Sequence, residues 1–230
     1  MKDRIFIIDG SSYLYRAYHA MPPLTTSSGQ PTGAIKGVTN MLMTLKKDSE
    51  GSPIVVIFDA KGKTFRNDIY KEYKANRPPM PDDLREQLVP LKDICRAIGF
   101  PLIEIEGVEA DDVIATVVKT AKQKKYKTVI SSLDKDLMQL VEDPVSTIMN
   151  TMTHQIFNEE KVFEKFGVMP NQIRDMLALV GDTSDNIPGV PKVGQKTAAK
   201  WLNEYGNLEG VKSNADSIKG VVGENLRSSL

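Results

Sequence analysis

Four short apolar runs punctuate the first 140 residues of this chain, and each is followed by carboxylates. Such runs, separated by helical patterns, are typical of strands buried on both faces of a parallel sheet. The carboxyl ends of parallel strands meet at one edge, where open α/β sheets bind ligands. One acidic strand end is ordinary, whereas four in succession predict a site. The runs and their carboxylates are residues 4–8 with Asp9, 53–58 with Asp59, 101–105 with the Glu109 group, and 128–132 with Asp134 and Asp136.

The densest acidic group is Gly-Val-Glu-Ala-Asp-Asp, residues 107–112, which has three carboxylates in four residues. Like charges this close repel one another, and burial would add a desolvation cost. Cations among the oxygens would remove that cost, and oxygen ligands suit Mg²⁺ or Mn²⁺. The alternative is N-capping, because acidic residues are also favoured in the first turn of a helix.

Composition narrows the class of protein. Hydrophobic residues make up 40% of the 230 residues and charged residues 26%, as in a globular protein of one or two domains. No apolar run approaches the roughly 20 residues that cross a bilayer. Cys95 is the single cysteine, so we expect a reducing, cytoplasmic location, and two histidines are too few to predict a zinc site. The net charge is zero, but 21 acidic residues remain against 30 basic ones once nine carboxylates are assigned to a metal site.

The basic segment, residues 61–81, carries six basic and two acidic residues and ends in three prolines. Phe65, Tyr70 and Tyr73 are interleaved with the cations. Basic and aromatic residues together favour single-stranded nucleic acid, because cations contact phosphates while rings stack on bases. The alternative is a solvated amphipathic helix with its tyrosines buried.

Strand patterns stop after about residue 166. Two carboxylates, Asp182 and Asp185, lie three residues apart in what we call the acidic loop, residues 181–187. The hairpin, residues 189–194, then feeds a helix, and such a junction can present backbone N–H groups to a phosphate. Lysines recur every fourth residue at 192, 196 and 200. This combination favours contact with a DNA backbone over a simple helical turn, while the tail to residue 230 is polar and weakly patterned.

The chain closely resembles the 5′-nuclease domain (5′→3′ exonuclease, flap endonuclease-like) of bacterial DNA polymerase I. The segments that carry the resemblance are IDGSSYLYRA (8–17), VIFDAKGKTFR (56–66), YKANRPPMP (73–81), GVEADD (107–112), DKD (134–136) and GDTSDNIPGV (181–190). It implies a PIN/resolvase-like α/β fold, with a mostly parallel central sheet flanked by helices. It also implies an α/β core over residues 1–166, a helical arch at about 61–81, and a helix-three-turn-helix region over 167–230.

The resemblance implies two metal clusters and an arch over them. The first cluster would be Asp9, Asp59, Glu109, Asp111 and Asp112, and the second Asp134, Asp136, Asp182 and Asp185. Six of the residues would be catalytic: Lys74 and Arg77 through contact with phosphate, and Asp9, Asp59, Asp111 and Asp134 as metal ligands. Tyr73 would stack on a base. Two divalent ions, Mg²⁺ or Mn²⁺, would be cofactors, with K⁺ a candidate at the hairpin. The predicted DNA contacts are Arg16, Lys61, Lys63, Phe65, Arg66, Tyr73, Lys74, Arg77, Gly189, Val190, Lys192, Val193, Gly194, Lys196, Thr197 and Lys200.

The implied activity is two-metal hydrolysis of DNA at 5′ ends and flaps, as in primer removal and nick processing. Partners would be DNA with a 5′ flap, nick or duplex junction, or an RNA primer on DNA, and no membrane. The protein would be located at the bacterial nucleoid in the cytoplasm. Two departures from the family pattern stand out: Leu133 replaces a frequent glycine, and the chain ends early, as a fragment preceding a polymerase or a short nuclease would. The alternatives are a flap-binding module without turnover, and a phosphatase or RNA-cleaving nuclease on the same acidic core.

Overall fold

The computed structural model describes residues 4–230, which form a six-stranded sheet flanked by helices. The strand order is β3-β2-β1-β4-β5-β6, and every pairing is parallel except the antiparallel β5–β6 pair. This confirms the predicted mostly parallel sheet. The strands are β1 (Arg4–Asp9), β2 (Ile54–Ile57), β3 (Leu102–Ile103), β4 (Lys127–Ser131), β5 (Ser146–Met149) and β6 (Ile156–Phe157).

Ten α-helices occur among the described residues, and the predicted helices at 34–46, 82–98 and 171–180 are all present within a few residues. Short 3₁₀ turns lie at Asp136–Leu140, Pro170–Gln172 and Ala215–Ser217. The helices are α1 (Gly10–Ala20), α2 (Gly33–Asp48), α3 (Phe65–Ile69), α4 (Asp82–Ile98), α5 (Ala110–Gln123), α6 (Glu159–Phe166), α7 (Ile173–Val180), α8 (Gln195–Tyr205), α9 (Leu208–Ser213) and α10 (Gly220–Ser228).

The side chains of each strand point alternately to the two faces of the sheet, so the sheet divides the core into two layers. Phe6 and Ile8 of β1 pack with the helices α1, α2 and α4, whereas Ile7 between them packs with α5 on the opposite face. Successive side chains of a strand point to opposite faces, so an all-apolar strand needs helices on both. The apolar runs therefore predicted a doubly covered sheet correctly.

The C-terminal helices continue the α5 layer of the core. Trp201, Val211 and Leu226 belong to the same buried cluster as Ile7 and Ile57 of the sheet. The weakly patterned tail thus forms α9 and α10, because a few apolar residues per short helix suffice when a neighbouring surface covers them. None of the described helices combines the length and apolarity needed to cross a membrane.

The basic segment differs from a continuous helical arch. Its helix α3 spans five residues and buries none of them, and turns follow at residues 71–76. Pro78, Pro79 and Pro81 end the segment before α4 begins at Asp82. A helix this short, without a buried face, has little stability of its own, so contacts with other parts of the protein must hold the segment in place.

Candidate functional site

The carboxyl edge of the sheet carries the predicted carboxylates. Asp9 is the last residue of β1, and Asp59 and Asp134 follow β2 and β4 within three residues. α5 begins beside them, and the Ala110 N–H at its start donates to Asp59 Oδ1 at 2.9 Å. Eight of the nine predicted metal ligands line one cavity of about 490 Å³ at this edge: Asp9, Asp59, Glu109, Asp111, Asp134, Asp136, Asp182 and Asp185.

Asp9 is fixed at the centre of this edge. Its Oδ1 accepts the Ser12 N–H at 2.8 Å and so caps α1, while its Oδ2 accepts the Ser132 hydroxyl at 2.8 Å. Burial raises the pKa of Asp9 to about 6, and the charges of Asp59 and Asp134 add to the rise, although both hydrogen bonds oppose it. The side chain is therefore held in one orientation despite the cost of its charge.

Asp111 shows the strongest electrostatic conflict in the cavity. Burial, followed by repulsion from Asp134, Asp9, Asp59 and Glu109, raises its pKa to about 8. Such a carboxylate is stable in its charged form only when a cation balances the surrounding negative charge. The cavity is thus built for more positive charge than the protein supplies at this position.

Three of the four residues of the second predicted cluster converge. Oxygens of Asp136, Asp182 and Asp185 lie within 4.8 Å of one another. Burial raises the pKa of Asp136 to about 6, with further contributions from the charges of Asp134 and Asp182, and its buried Oδ1 has no hydrogen-bond partner within residues 4–230. An unpartnered buried oxygen among converging carboxylates fits the oxygen donor set of a hard divalent cation.

Asp182 is paired with the lysine of the Asp-Lys-Asp motif. Lys135 Nζ lies 3.1 Å from Asp182 Oδ2, and the Ser184 N–H donates to Asp182 Oδ1 at 2.9 Å. Burial opposes ionisation here, but these donors prevail and lower the pKa of Asp182. Lys135 lies between the two aspartates of the Asp-Lys-Asp motif, and no sequence pattern predicted its pairing with Asp182.

Asp112 does not join the other eight carboxylates. Both its oxygens accept hydrogen bonds from Arg66, at 2.5 and 2.8 Å, and Oδ2 also accepts the Glu109 N–H at 3.1 Å. The hydrogen bonds from Arg66 lower the pKa of Asp112. In this structure the residue is an ion-pair partner and helix cap, so capping explains one of the three carboxylates of residues 107–112. Successive helical positions point about 100° apart, so Asp111 lines the cavity at the sheet edge while Asp112 turns towards Arg66. Both residues line a neighbouring cavity of about 600 Å³, which Arg66 and Tyr73 also border.

The basic segment packs down onto the carboxylates through three predicted residues. Lys74 Nζ lies 2.7 Å from Glu109 Oε1, and the Arg77 guanidinium pairs with Asp185. Tyr73 is buried, and its hydroxyl lies 2.9 Å from both Glu109 Oε2 and Asp185 Oδ2. The Tyr73 ring cannot stack on a base in this conformation, so its predicted stacking requires the segment to move.

The remaining basic-segment residues are accessible, except for Arg66, which is engaged with Asp112. Lys61, Lys63 and Phe65 are exposed, as contacts to a nucleic acid require. Arg16 is half-buried, and its Nη1 donates to the hydroxyl of Thr151. Arg16 therefore braces α1 against the end of β5 and offers less of its charge to solvent than the sequence suggested.

Some of the DNA contacts predicted in the hairpin are accessible in the structure and others are not. Val190 and Val193 are buried in the core, and their N–H groups donate to the carbonyls of Leu179 and Val190. In this structure neither the side chains nor the amides of these two residues are open to DNA, so their predicted contact stays a prediction. Gly189 has a packing role, because a Cβ there would lie 2.2 Å from the carbonyl carbon of Val180.

Gly194 and the lysine row remain available. A Cβ at Gly194 would meet nothing within 4 Å, and its φ of −103° suits any residue, so the fold does not require glycine there. Lys192, Lys196 and Lys200 are exposed, and Thr197 is half-buried. The start of α8 therefore presents cations and an unobstructed backbone on one surface.

Leu133 lines the acidic cavity and is 40% exposed. The bulky side chain does not expel its neighbour, because Asp134 lines the same cavity and its Oδ1 accepts the Asp136 N–H at 2.9 Å. The departure from glycine at this position is therefore compatible with the converging carboxylates.

Comparison with known proteins agrees with this geometry. The chain matches the family model "5'-3' exonuclease, N-terminal resolvase-like domain" over residues 4–167 and "5'-3' exonuclease, C-terminal SAM fold" over residues 168–230. It is 54% identical over 215 residues to DNA polymerase I of Pseudomonas aeruginosa, covering 93% of this chain but 23% of that protein. It is 48% identical over 215 residues to the 5'-3' exonuclease of Aquifex aeolicus, covering 94% of this chain and 74% of that protein.

A solved structure has the same fold. The bacteriophage T5 D15 flap endonuclease, crystallised as a pseudo-enzyme-product complex with DNA and metal ions, superposes with a TM-score of 0.79 at 27% identity. The superposition covers 98% of this chain and 84% of the phage protein. The carboxylate edge, the basic segment above it and the exposed start of α8 thus lie on an architecture shared with that protein.

Proposed function

This chain belongs to the 5′-3′ exonuclease family, and we propose that it is a divalent-metal-dependent nuclease that hydrolyses DNA phosphodiesters at 5′ ends and flaps. The observation that carries the proposal is the meeting of eight carboxylates, from five separate stretches of sequence, in one cavity that Lys74 and Arg77 also line. The chain spans about a quarter of the Pseudomonas polymerase and about three quarters of the Aquifex exonuclease. A following polymerase region and a place at the bacterial nucleoid are parts of the same proposal.

In this proposal the carboxylates bind two Mg²⁺ or Mn²⁺ ions. Asp9, Asp59, Glu109 and Asp111 would hold one, and Asp134, Asp136, Asp182 and Asp185 the other. Their oxygen-only chemistry, the raised pKa values of Asp9, Asp111 and Asp136, and the unpartnered Asp136 Oδ1 support this assignment. Two bound divalent ions supply activation of a water molecule and neutralisation of charge on the leaving oxygen.

The cations of the basic segment have a second task in this proposal. Lys74 and Arg77 pair with Glu109 and Asp185, so both cations lie beside the carboxylates at which a scissile phosphate would bind. With divalent ions bound among the carboxylates, these two side chains would be free to bind phosphate oxygens and to stabilise the negative charge that develops there. Tyr73, freed in the same step, would be available to stack on a base of the strand passing beneath the segment.

The start of α8 would bind the duplex next to the flap. Lys192, Lys196 and Lys200 are exposed on this surface, and Gly194 leaves room for a phosphate to approach the backbone. Phosphate contacts carry no direct sequence information, so recognition should follow DNA structure. A K⁺ ion bound by hairpin carbonyls would strengthen duplex binding, and K⁺ in place of Na⁺ at equal ionic strength tests this. In the same proposal the residues up to 166 form the nuclease core, Asp182 and Asp185 add metal ligands to it, and the other residues from 167 hold the duplex.

A panel of labelled substrates tests the activity. We expect cleavage of 5′-flap and nicked DNA in Mg²⁺, much weaker cleavage of blunt duplex, and none in EDTA. Asp134→Ala should lower the flap rate by several orders of magnitude, whereas Asp216→Ala, an exposed carboxylate outside the cavity, should leave it unchanged. Tight flap binding without cleavage in either Mg²⁺ or Mn²⁺ would instead identify a binding module and overturn the proposal.

A further inference from the structure

Residues 72–77, which we call the foot of the basic segment, form four hydrogen bonds with the acidic loop, and none of these bonds uses a carboxylate oxygen. Each joins residues more than 100 positions apart in the chain, and each uses a backbone atom as donor or acceptor. The bonds are Asn186 Nδ2 to Glu72 O at 2.8 Å, Asn76 Nδ2 to Thr183 O at 2.7 Å, Lys74 N to Asp185 O at 2.9 Å, and Arg77 Nε to Ser184 O at 3.0 Å.

Apolar packing contributes little to holding the basic segment. Within residues 61–81, all of which the structure describes, only Tyr73 is buried. Polar contacts attach the segment to residues 107–112: the Phe65 N–H donates to Gly107 O at 3.0 Å, Arg66 pairs with Asp112, and Lys74 pairs with Glu109. The hydrogen bonds to the acidic loop attach residues 72–77 to a second stretch of the chain and so restrict the orientation of the segment.

The acidic loop is a firm partner for this contact. Asp182 and Ile187 exchange two backbone hydrogen bonds, each 2.8 Å long, which close the loop at its base. Gly181 and Gly189 lie against each other so closely that a Cβ on either would clash with the backbone of the other stretch. The loop is therefore held against the end of α7 independently of the basic segment.

Asparagine suits both the backbone and the contact at position 186. Its φ is +58°, a left-handed conformation in which asparagine is the best tolerated residue after glycine. Glycine would satisfy the backbone as well, yet it lacks the side-chain amide that reaches Glu72 O. Asn186 is half-buried and Asn76 exposed, so neither side chain is needed to fill the core.

We propose that Asn76 and Asn186 are positioning residues that lock the foot of the basic segment onto the acidic loop and thereby hold Lys74 and Arg77 over the carboxylates. Neither amide touches the carboxylates, so the two residues act through Lys74 and Arg77. The contact exists in the protein without DNA or metal, whereas its catalytic consequence rests on the function proposed above.

Limited trypsin digestion without metal tests the contact itself. Asn186→Gly keeps the left-handed backbone accessible and removes only the amide, so cleavage after Lys71 and Lys74 should accelerate about three- to tenfold, the effect expected for one net hydrogen bond. The matched control is Asn214→Gly, since Asn214 Nδ2 also bonds a carbonyl, Gly210 O at 2.9 Å, on a C-terminal helix. Equal cleavage rates after Lys71 in Asn186→Gly and the parent would overturn the proposal.

Flap kinetics in Mg²⁺ test the consequence. Asn186→Gly and Asn76→Ala should each lower kcat about three- to tenfold while KM changes less than about twofold, because the α8 surface still binds the duplex. Their double variant should lose less than the product of the single losses, since both amides hold one contact. A rise in KM at unchanged kcat would contradict the positioning role. Absence of flap cleavage by the parent would refute the proposed function, and the trypsin comparison would still decide the contact.

Discussion

Replacing Asp111 by asparagine should have opposite effects on stability and on activity. The pKa of Asp111 is raised to about 8, first by burial and then by the charges of Asp134, Asp9, Asp59 and Glu109. Without metal, the charged side chain destabilises the native protein. Asp111→Asn keeps the shape of the side chain and removes the charge, so the metal-free variant should be more stable than the parent.

The pH dependence gives the size of this effect. A carboxyl with a folded pKa near 8 and an unfolded value near 3.8 binds more protons in the folded state, so stability is lost as pH rises from about 4 to about 8. The loss is at most about 1.4 kcal/mol per pH unit, or about 4 kcal/mol between pH 5 and pH 8. Protonation of neighbouring carboxyls relieves part of it. We therefore expect Asp111→Asn to gain about 2 kcal/mol over the parent in that interval, which corresponds to about 4–8 °C in Tm.

Thermal unfolding in EDTA at pH 5 and pH 8 measures the gain, and Asp112→Asn is the matched control. Asp112 has a lowered pKa and a paired Arg66, so its charge stabilises the fold above its unfolded pKa and this contribution is lost as pH falls. Its variant should be less stable than the parent by about 1–2 kcal/mol at pH 8. In Mg²⁺, Asp111→Asn should lose flap cleavage despite its higher Tm. A metal-free Asp111→Asn no more stable than the parent at pH 8 would refute the reasoning.

Three further outcomes follow from the same contacts. Adding Mg²⁺ should raise Tm more at pH 8 than at pH 5, because protons compete for the raised-pKa carboxyls at the lower pH, and equal shifts would contradict a site made of these groups. Gly189→Ala should destabilise the protein by several kcal/mol in urea unfolding, since its Cβ would overlap Val180, whereas Gly194→Ala should leave stability nearly unchanged and weaken duplex binding in a salt titration. Tyr73→Phe should cost about 1–3 kcal/mol in EDTA, because Glu109 and Asp185 lose a hydroxyl donor, and this difference should shrink in Mg²⁺.

The local sequence pattern of the basic segment predicted only some of the contacts that its residues make. Its composition predicted a polyanion partner, yet the structure places Lys74 and Arg77 on carboxylates of the protein itself. Asn76 and Asn186 gave no signal, since an asparagine that bonds a distant carbonyl looks like any loop asparagine. Ser132, which orients Asp9, was equally inconspicuous.

Apolar strand runs, helix periodicity and the acidic ends of the strands are short-range properties of the sequence. The residue order alone therefore determined the parallel sheet, most helix positions and the edge of the sheet where the carboxylates gather. Only the tertiary structure decided which carboxylates share the cavity. It turned Asp112 towards Arg66, buried Val190 and Val193, and covered α9 and α10 well enough to make them helical. The physical reason is that side-chain direction and burial depend on partners tens to hundreds of residues away, and no pattern within a single stretch encodes them.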